Sequence, residues 1–186
     1  MVIKIYLDTN FIRDVTEKRN NKATHLMETL RKLADKKKTT CYTSLFLFME
    51  LSDTKKDDLF FQEAISKKLE FKTIMRERNN QILEEHHFKK ISEYLDNLLE
   101  SYPFLKKLLL SEEGWQVALD ISSDSNIWSP DAIHLATALS NDCDLLITSD
   151  TKFRAEADKV AKKFTKYNLK IVSIEEAQKI IDEDFK

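Results

Sequence analysis

The sequence predicts an α/β fold: a central parallel sheet, helices on both of its faces, and a helical insertion. Three observations carry that prediction. Short runs rich in β-branched residues recur along the 186 residues, stretches of helical periodicity lie between them, and the segment from about 55 to 125 shows helical patterns only. Strands joined through helices pair in parallel and take helices on both faces. One domain, 1–186, follows from the length, since a domain usually takes roughly 100–200 residues.

The first strand is Val2-Ile3-Lys4-Ile5-Tyr6-Leu7, which stops at Asp8. Ala23–Lys36 follows as a helix, with Leu26, Met27, Leu30, Leu33 and Ala34 at spacings of three and four. The second strand is Thr39–Thr43, and the apolar run Leu45–Met49 leads from it to Glu50. The insertion reads as helices around Leu59–Met75, Gln81–Leu99 and Glu112–Ile121, with no convincing strand among them. Ser129 is expected to cap the next helix, with Pro130 at its first position, and that helix runs through Leu139. Strands at Leu145–Thr148 and Leu169–Val172 complete the sheet, and Ser173 with Glu176 has capping-box spacing for a last helix.

Composition removes several function classes. One glycine, Gly114, and two prolines, Pro103 and Pro130, leave neither a P-loop nor a dinucleotide fingerprint to be written. Cys41 and Cys143 lie far apart without metal-type spacing, each within or beside an apolar run, so buried thiols are expected rather than a disulfide. No stretch resembles a signal peptide or a membrane span, and the expectation is a cytoplasmic protein. The net charge of −2 is no overall signal for nucleic acid, and the recurring lysine pairs read as solvated helix faces.

Four carboxylates stand out by position. Asp8 follows the first strand and Asp150 follows the strand Leu145–Thr148; ligands of open parallel sheets bind beyond the carboxyl ends of the strands. The two acids lie together there if their strands are neighbours. Asp131 falls in the first turn of a helix, where an acid also complements the helix dipole. Asp8 and Asp150 read equally as caps of the helices that follow them. Glu50 shares a helix face with Phe46 and Leu47, so it is expected to point inward, and a buried carboxylate neutralises or finds a cation.

At these residues the sequence resembles the PIN-domain family, and most of all its VapC-type toxin ribonucleases. The matching pieces are Leu7-Asp8-Thr9-Asn10, Thr43-Ser44 through Glu50-Leu51, Pro130-Asp131 through Ala138, and Leu146-Ile147-Thr148-Ser149-Asp150-Thr151-Lys152-Phe153. The resemblance implies a three-layer α/β/α fold and metal-dependent cleavage of RNA. It implies that Asp8, Glu50, Asp131 and Asp150 hold Mg²⁺ or Mn²⁺, oxygen ligands suiting such hard ions. Asn10, Ser44, Thr148 and Ser149 match polar positions that order the acids or bound water. It further implies an RNA substrate, an antitoxin carried on a separate chain, and pairing as a homodimer. Two departures stand out: Thr151 and Lys152 occupy positions where many relatives carry a further acid, and the interval from Glu50 to Asp131 is longer than compact toxins use.

Arg13 and Arg154, near the acids in sequence, are candidates for holding phosphates. His134 reads as a core or pocket-edge histidine, His86 and His87 as surface, and Trp115 and Trp128 as packing residues that could otherwise stack bases. Two other functions are compatible with parts of this pattern. A haloacid dehalogenase-like phosphatase also starts with a strand ending in Asp, but needs a second acid where Asn10 stands. A PIN-like fold used as an RNA-binding or scaffold module needs no acid at all.

Overall fold

The computed structural model describes residues 2–78, 83–164 and 167–185. Five strands form one sheet: β1 (Ile3–Leu7), β2 (Thr39–Ser44), β3 (Leu105–Leu108), β4 (Leu145–Ile147) and β5 (Lys170–Val172). Their order is β3-β2-β1-β4-β5 and every pairing is parallel. β1 lies centrally, with Ile5 opposite both Cys41 of β2 and Leu145 of β4. Its Ile5, Tyr6 and Leu7 are fully buried, as an unbroken apolar run requires of a parallel strand covered on both faces.

The chain divides into two compact units, Met1–Leu47 with Tyr102–Lys186, and Phe48–Ser101. The first holds the sheet. The two faces of β1, β4 and β5 alternate with the strand period. Tyr6, Leu146 and Ile171 join a core with α6 (Glu112–Asp124), α7 (Ser129–Ser140) and α8 (Thr151–Ala161), through residues such as Ile121, Leu135 and Phe153. The opposite face is covered by α2 (Asn21–Asp35) and α9 (Ile174–Asp184), with α1 (Thr9–Thr16) packed against α2. The sheet and these two helical layers are the three-layer α/β/α architecture. Asn20 caps α2, and the box at Ser173 forms as its spacing predicts. The Ser173 N–H donates to Glu176 Oε2 (2.7 Å), and the Glu176 N–H donates to Ser173 Oγ (3.2 Å). Both cysteines are free and buried.

The second unit is helical. It holds α3 (Leu45–Ser66) beyond that helix's first turn, α4 (Phe71–Glu77) and α5 (Glu85–Ser101). The expected helix Leu59–Met75 is thus two helices, broken at Lys68, whose positive φ of 52° ends α3. The expected start of the next helix, Gln81, lies outside the described residues. Among the described residues, no helix is long and apolar enough to cross a membrane.

Three expectations need correction. The segment 55–125 does contain a strand: β3 reads Leu-Lys-Lys-Leu, with both lysines exposed. Such lysines are how an edge strand resists further pairing, and they disguise its apolar pattern. Trp128, not Ser129, precedes the first residue of α7, and it makes no side-chain capping bond. Ser129 Oγ lies 3.3 Å from Ser122 Oγ instead, and Pro130 still falls in the first turn. His87 is buried at 3% exposure, not at the surface, with Nε2 3.5 Å from Glu63 and the Glu84 N–H donating to Nδ1. His86 is exposed, as expected.

Candidate functional site

The pairing of β1 with β4 decides where the acids go. The chain adds β2 and β3 on one side of β1, then returns to place β4 and β5 on the other. Crevices that bind ligands open at such a switch point, beyond the carboxyl ends of the strands. Leu7 ends β1 opposite Ile147, and the Asp8 N–H donates to the Ile147 carbonyl at 3.3 Å. Asp8 therefore leaves the sheet beside Thr148-Ser149-Asp150.

Asp8 is 2% exposed. Its Oδ1 accepts the Phe11 N–H at 2.8 Å, which caps α1, and the Thr148 hydroxyl donates to its carboxylate. Burial raises its pKa to about 6, against the lowering effects of Thr148, Phe11 and His134; the charge of Asp131 raises it further. Thr148 is a hinge in this arrangement: its oxygen also accepts the Asp150 N–H at 3.0 Å. One buried hydroxyl thus ties the Asp8 side chain to the backbone of Asp150.

Asp150 caps α8 through Oδ1 alone, which accepts the N–H groups of Lys152 (2.8 Å) and Phe153 (2.9 Å). Its Oδ2 accepts no hydrogen bond among the described residues. Asp131 stands in the first turn of α7, half-buried. Asp131 and Asp150 line one open pocket of about 710 Å³, together with Trp128, Thr151, Lys152 and Glu156 among others. The capping role of Asp8 and Asp150 is real, and it also anchors each carboxylate at the crevice.

The structure thus brings Asp8, Asp131, Asp150 and Thr148 together in the first unit. Glu50 stands half-buried on α3 and belongs to the second unit. Ser44 ends β2 and caps α3, its hydroxyl accepting the Leu47 N–H at 3.2 Å. Asn10 and Ser149 are half-buried, beside Thr9 and Thr148. His134 is held on both sides: its Nδ1 lies 2.7 Å from the Tyr6 hydroxyl and its Nε2 3.1 Å from that of Thr9. Each hydroxyl can donate or accept, so either tautomer is satisfied. Arg13 pairs with Glu17 (2.9 Å) and Arg154 with Glu176 (2.6 Å). Lys152, by contrast, lines the pocket and makes no ion pair among the described residues. In sequence it was visible only as a departure from the family pattern.

The donor set fits a hard divalent cation. It offers oxygen only, and a positive charge would relieve the penalty that burial and Asp131 impose on ionised Asp8. Among the described residues no three His, Cys, Asp or Glu converge into a ready-made cage. Mg²⁺ needs none, since it keeps several waters and binds through one or two carboxylates plus substrate phosphate.

The fold is similar to that of VapBC2 from Rickettsia felis, in a crystal structure bound to a DNA fragment from their promoter. The TM-score is 0.54 at 15% identity, over 92% of this chain and 98% of that one. No curated protein sequence matches the chain. The sequence profile of the PIN domain matches residues 5–159, from the middle of β1 nearly to the end of α8, and displaces the phosphatase alternative. By that match, which spans all of the pieces that carry the resemblance, this chain belongs to the PIN-domain family.

Proposed function

We propose that the chain is a metal-dependent ribonuclease that hydrolyses phosphodiester bonds of single-stranded or structured RNA, with Asp8, Asp131 and Asp150 at its centre. The observation that carries this reading is the adjacency of β1 and β4, which sets buried Asp8 beside Thr148 and within the field of Asp131. Asp131 and Asp150 then face the same pocket. Glu50 is proposed as the fourth acid on the residue resemblance alone.

Mg²⁺ or Mn²⁺ supplies Lewis acidity and an activated water to such a site. The chain's own residues do the positioning. The Phe11 N–H and the Thr148 hydroxyl fix the Asp8 carboxylate, and the α8 N-terminus fixes Asp150. Asn10, Ser44 and Ser149 support the acids or ordered water, and the ammonium of Lys152 offers a contact for phosphate beside them. Arg13 and Arg154 reach phosphate only by exchanging their glutamate partners. The likeness to VapBC2 supports an antitoxin partner for this chain; its role as a cytoplasmic toxin that pairs as a homodimer is proposed on the residue resemblance alone.

The test is cleavage of a labelled single-stranded RNA by the wild type and Asp8→Asn, in Mn²⁺, Mg²⁺ or EDTA. Cutting in the metal ions, lost in EDTA and in the variant, is the expected result, with 5′-phosphate products. Cyclic phosphate ends would contradict hydrolysis by water. A non-catalytic RNA-binding module is the second reading, favoured by Lys152 in the pocket wall where relatives carry an acid. It predicts binding without cutting in the same assay.

A further inference from the structure

Trp128 is 80% exposed, although an indole is the largest apolar surface a residue can bury. Neither packing nor capping explains it: it precedes α7 without a side-chain capping bond. Its carbonyl does the local structural work, accepting the Ala132 N–H at 2.8 Å, and any residue supplies a carbonyl. The side chain lines the same pocket as Asp131, one helical turn further on, and as Asp150 and Lys152. Trp115, the other tryptophan, is half exposed on α6 and does not line that pocket.

The pocket has an electrostatic difficulty with RNA. Asp131, Asp150 and Glu156 face it, Lys152 is the lysine among its lining residues, and the whole chain carries −2. Phosphate contacts alone hold a polyanion poorly there. An aromatic face offers affinity that needs no positive charge, because every base has a π-face to stack on it.

The geometry points to Trp128 as a stacking platform for an unpaired base of the RNA, a positioning residue that sets the strand beside the acids. The inference rests on the ribonuclease reading and names its substrate as locally single-stranded: a duplex keeps its bases stacked on one another. Lys152 takes the neighbouring phosphate. The two contributions separate by salt, since the lysine term is screened and the stacking term is not.

The experiment uses the full chain carrying Trp115→Phe, so that Trp128 is the single tryptophan, titrated with a short oligoadenylate in EDTA. Binding is then read without turnover. The expected result is quenching of Trp128 fluorescence. Affinity, read by calorimetric titration because these variants hold no tryptophan, falls about tenfold in Trp128→Ala, at low and high salt alike, and is largely restored in Trp128→Phe. In Mn²⁺, the same Ala variant raises KM about tenfold with little change in kcat. Equal affinity of Trp128→Ala and its parent, with no quenching, overturns the platform. Metal-dependent cutting with that outcome would leave the nuclease standing and remove only Trp128. Trp128-dependent binding with no cutting would do the reverse.

Discussion

Asp8 carries an electrostatic cost at the site, and that cost has a measurable pH signature. Its pKa rises from 3.8 in the unfolded chain to about 6 in the fold, chiefly by burial. A raised carboxylate binds its proton more tightly in the native state, so its contribution lowers stability as pH rises through this window. The cost is absent below about pH 4 and fully present above about pH 6, where it amounts to about 3 kcal/mol. In EDTA, Asp8→Asn is therefore expected to be more stable than wild type at pH 7 and no more stable at pH 4. Urea unfolding at the two pH values measures this, and a variant less stable at pH 7 would show that Asp8 is not strained. His134 offers the opposite case. Tyr6→Phe removes the hydroxyl at its Nδ1 and leaves a buried ring nitrogen without that partner, costing about 1–3 kcal/mol in the same measurement. An unchanged midpoint would mean that another group replaces the hydroxyl. That Asp8 and Asp150 follow strands, and that Asp131 and Glu50 lie on helices, was legible in the sequence. The burial of His87 was not, because its contact with Glu63 is made between two different helices. The exposure of Trp128 escaped for the same reason: a lone aromatic does not announce what surrounds it.

At the scale of elements, the strands that were legible are those the fold buries. β4, and β1 from Ile5 onward, show continuous apolar runs because helices cover both faces of the sheet there, whereas β3, at the edge, shows two exposed lysines and was not read as a strand. Caps were legible where a side chain makes the bond, as at Ser173, and misplaced by one residue at Trp128, where none does. Ser173→Ala removes one half of the capping box of α9 and is expected to cost about 1 kcal/mol. Because Ile174, Ala177 and Ile181 remain buried, the helix itself should persist. A lowered urea midpoint with unchanged far-ultraviolet circular dichroism is the expected pair of readings; loss of helical signal would mean that the cap nucleates α9.

For the whole molecule, the decisive fact is the strand order, which periodicity cannot reveal. Asp8 and Asp150 are distant along the chain and converge because β4 returns to the free side of β1. The order of motifs pointed to that arrangement only through family resemblance. The account's central claim is that Asp8, Asp131 and Asp150 act as one oxygen-donor site for a divalent ion. Calorimetric titration of Mn²⁺ into wild type, Asp8→Asn, Asp131→Asn and Asp150→Asn tests it most directly. Saturable binding in the wild type, weakened about tenfold or more in every variant, is the predicted result. Equal binding in all four proteins, or none in the wild type with RNA present, would contradict it.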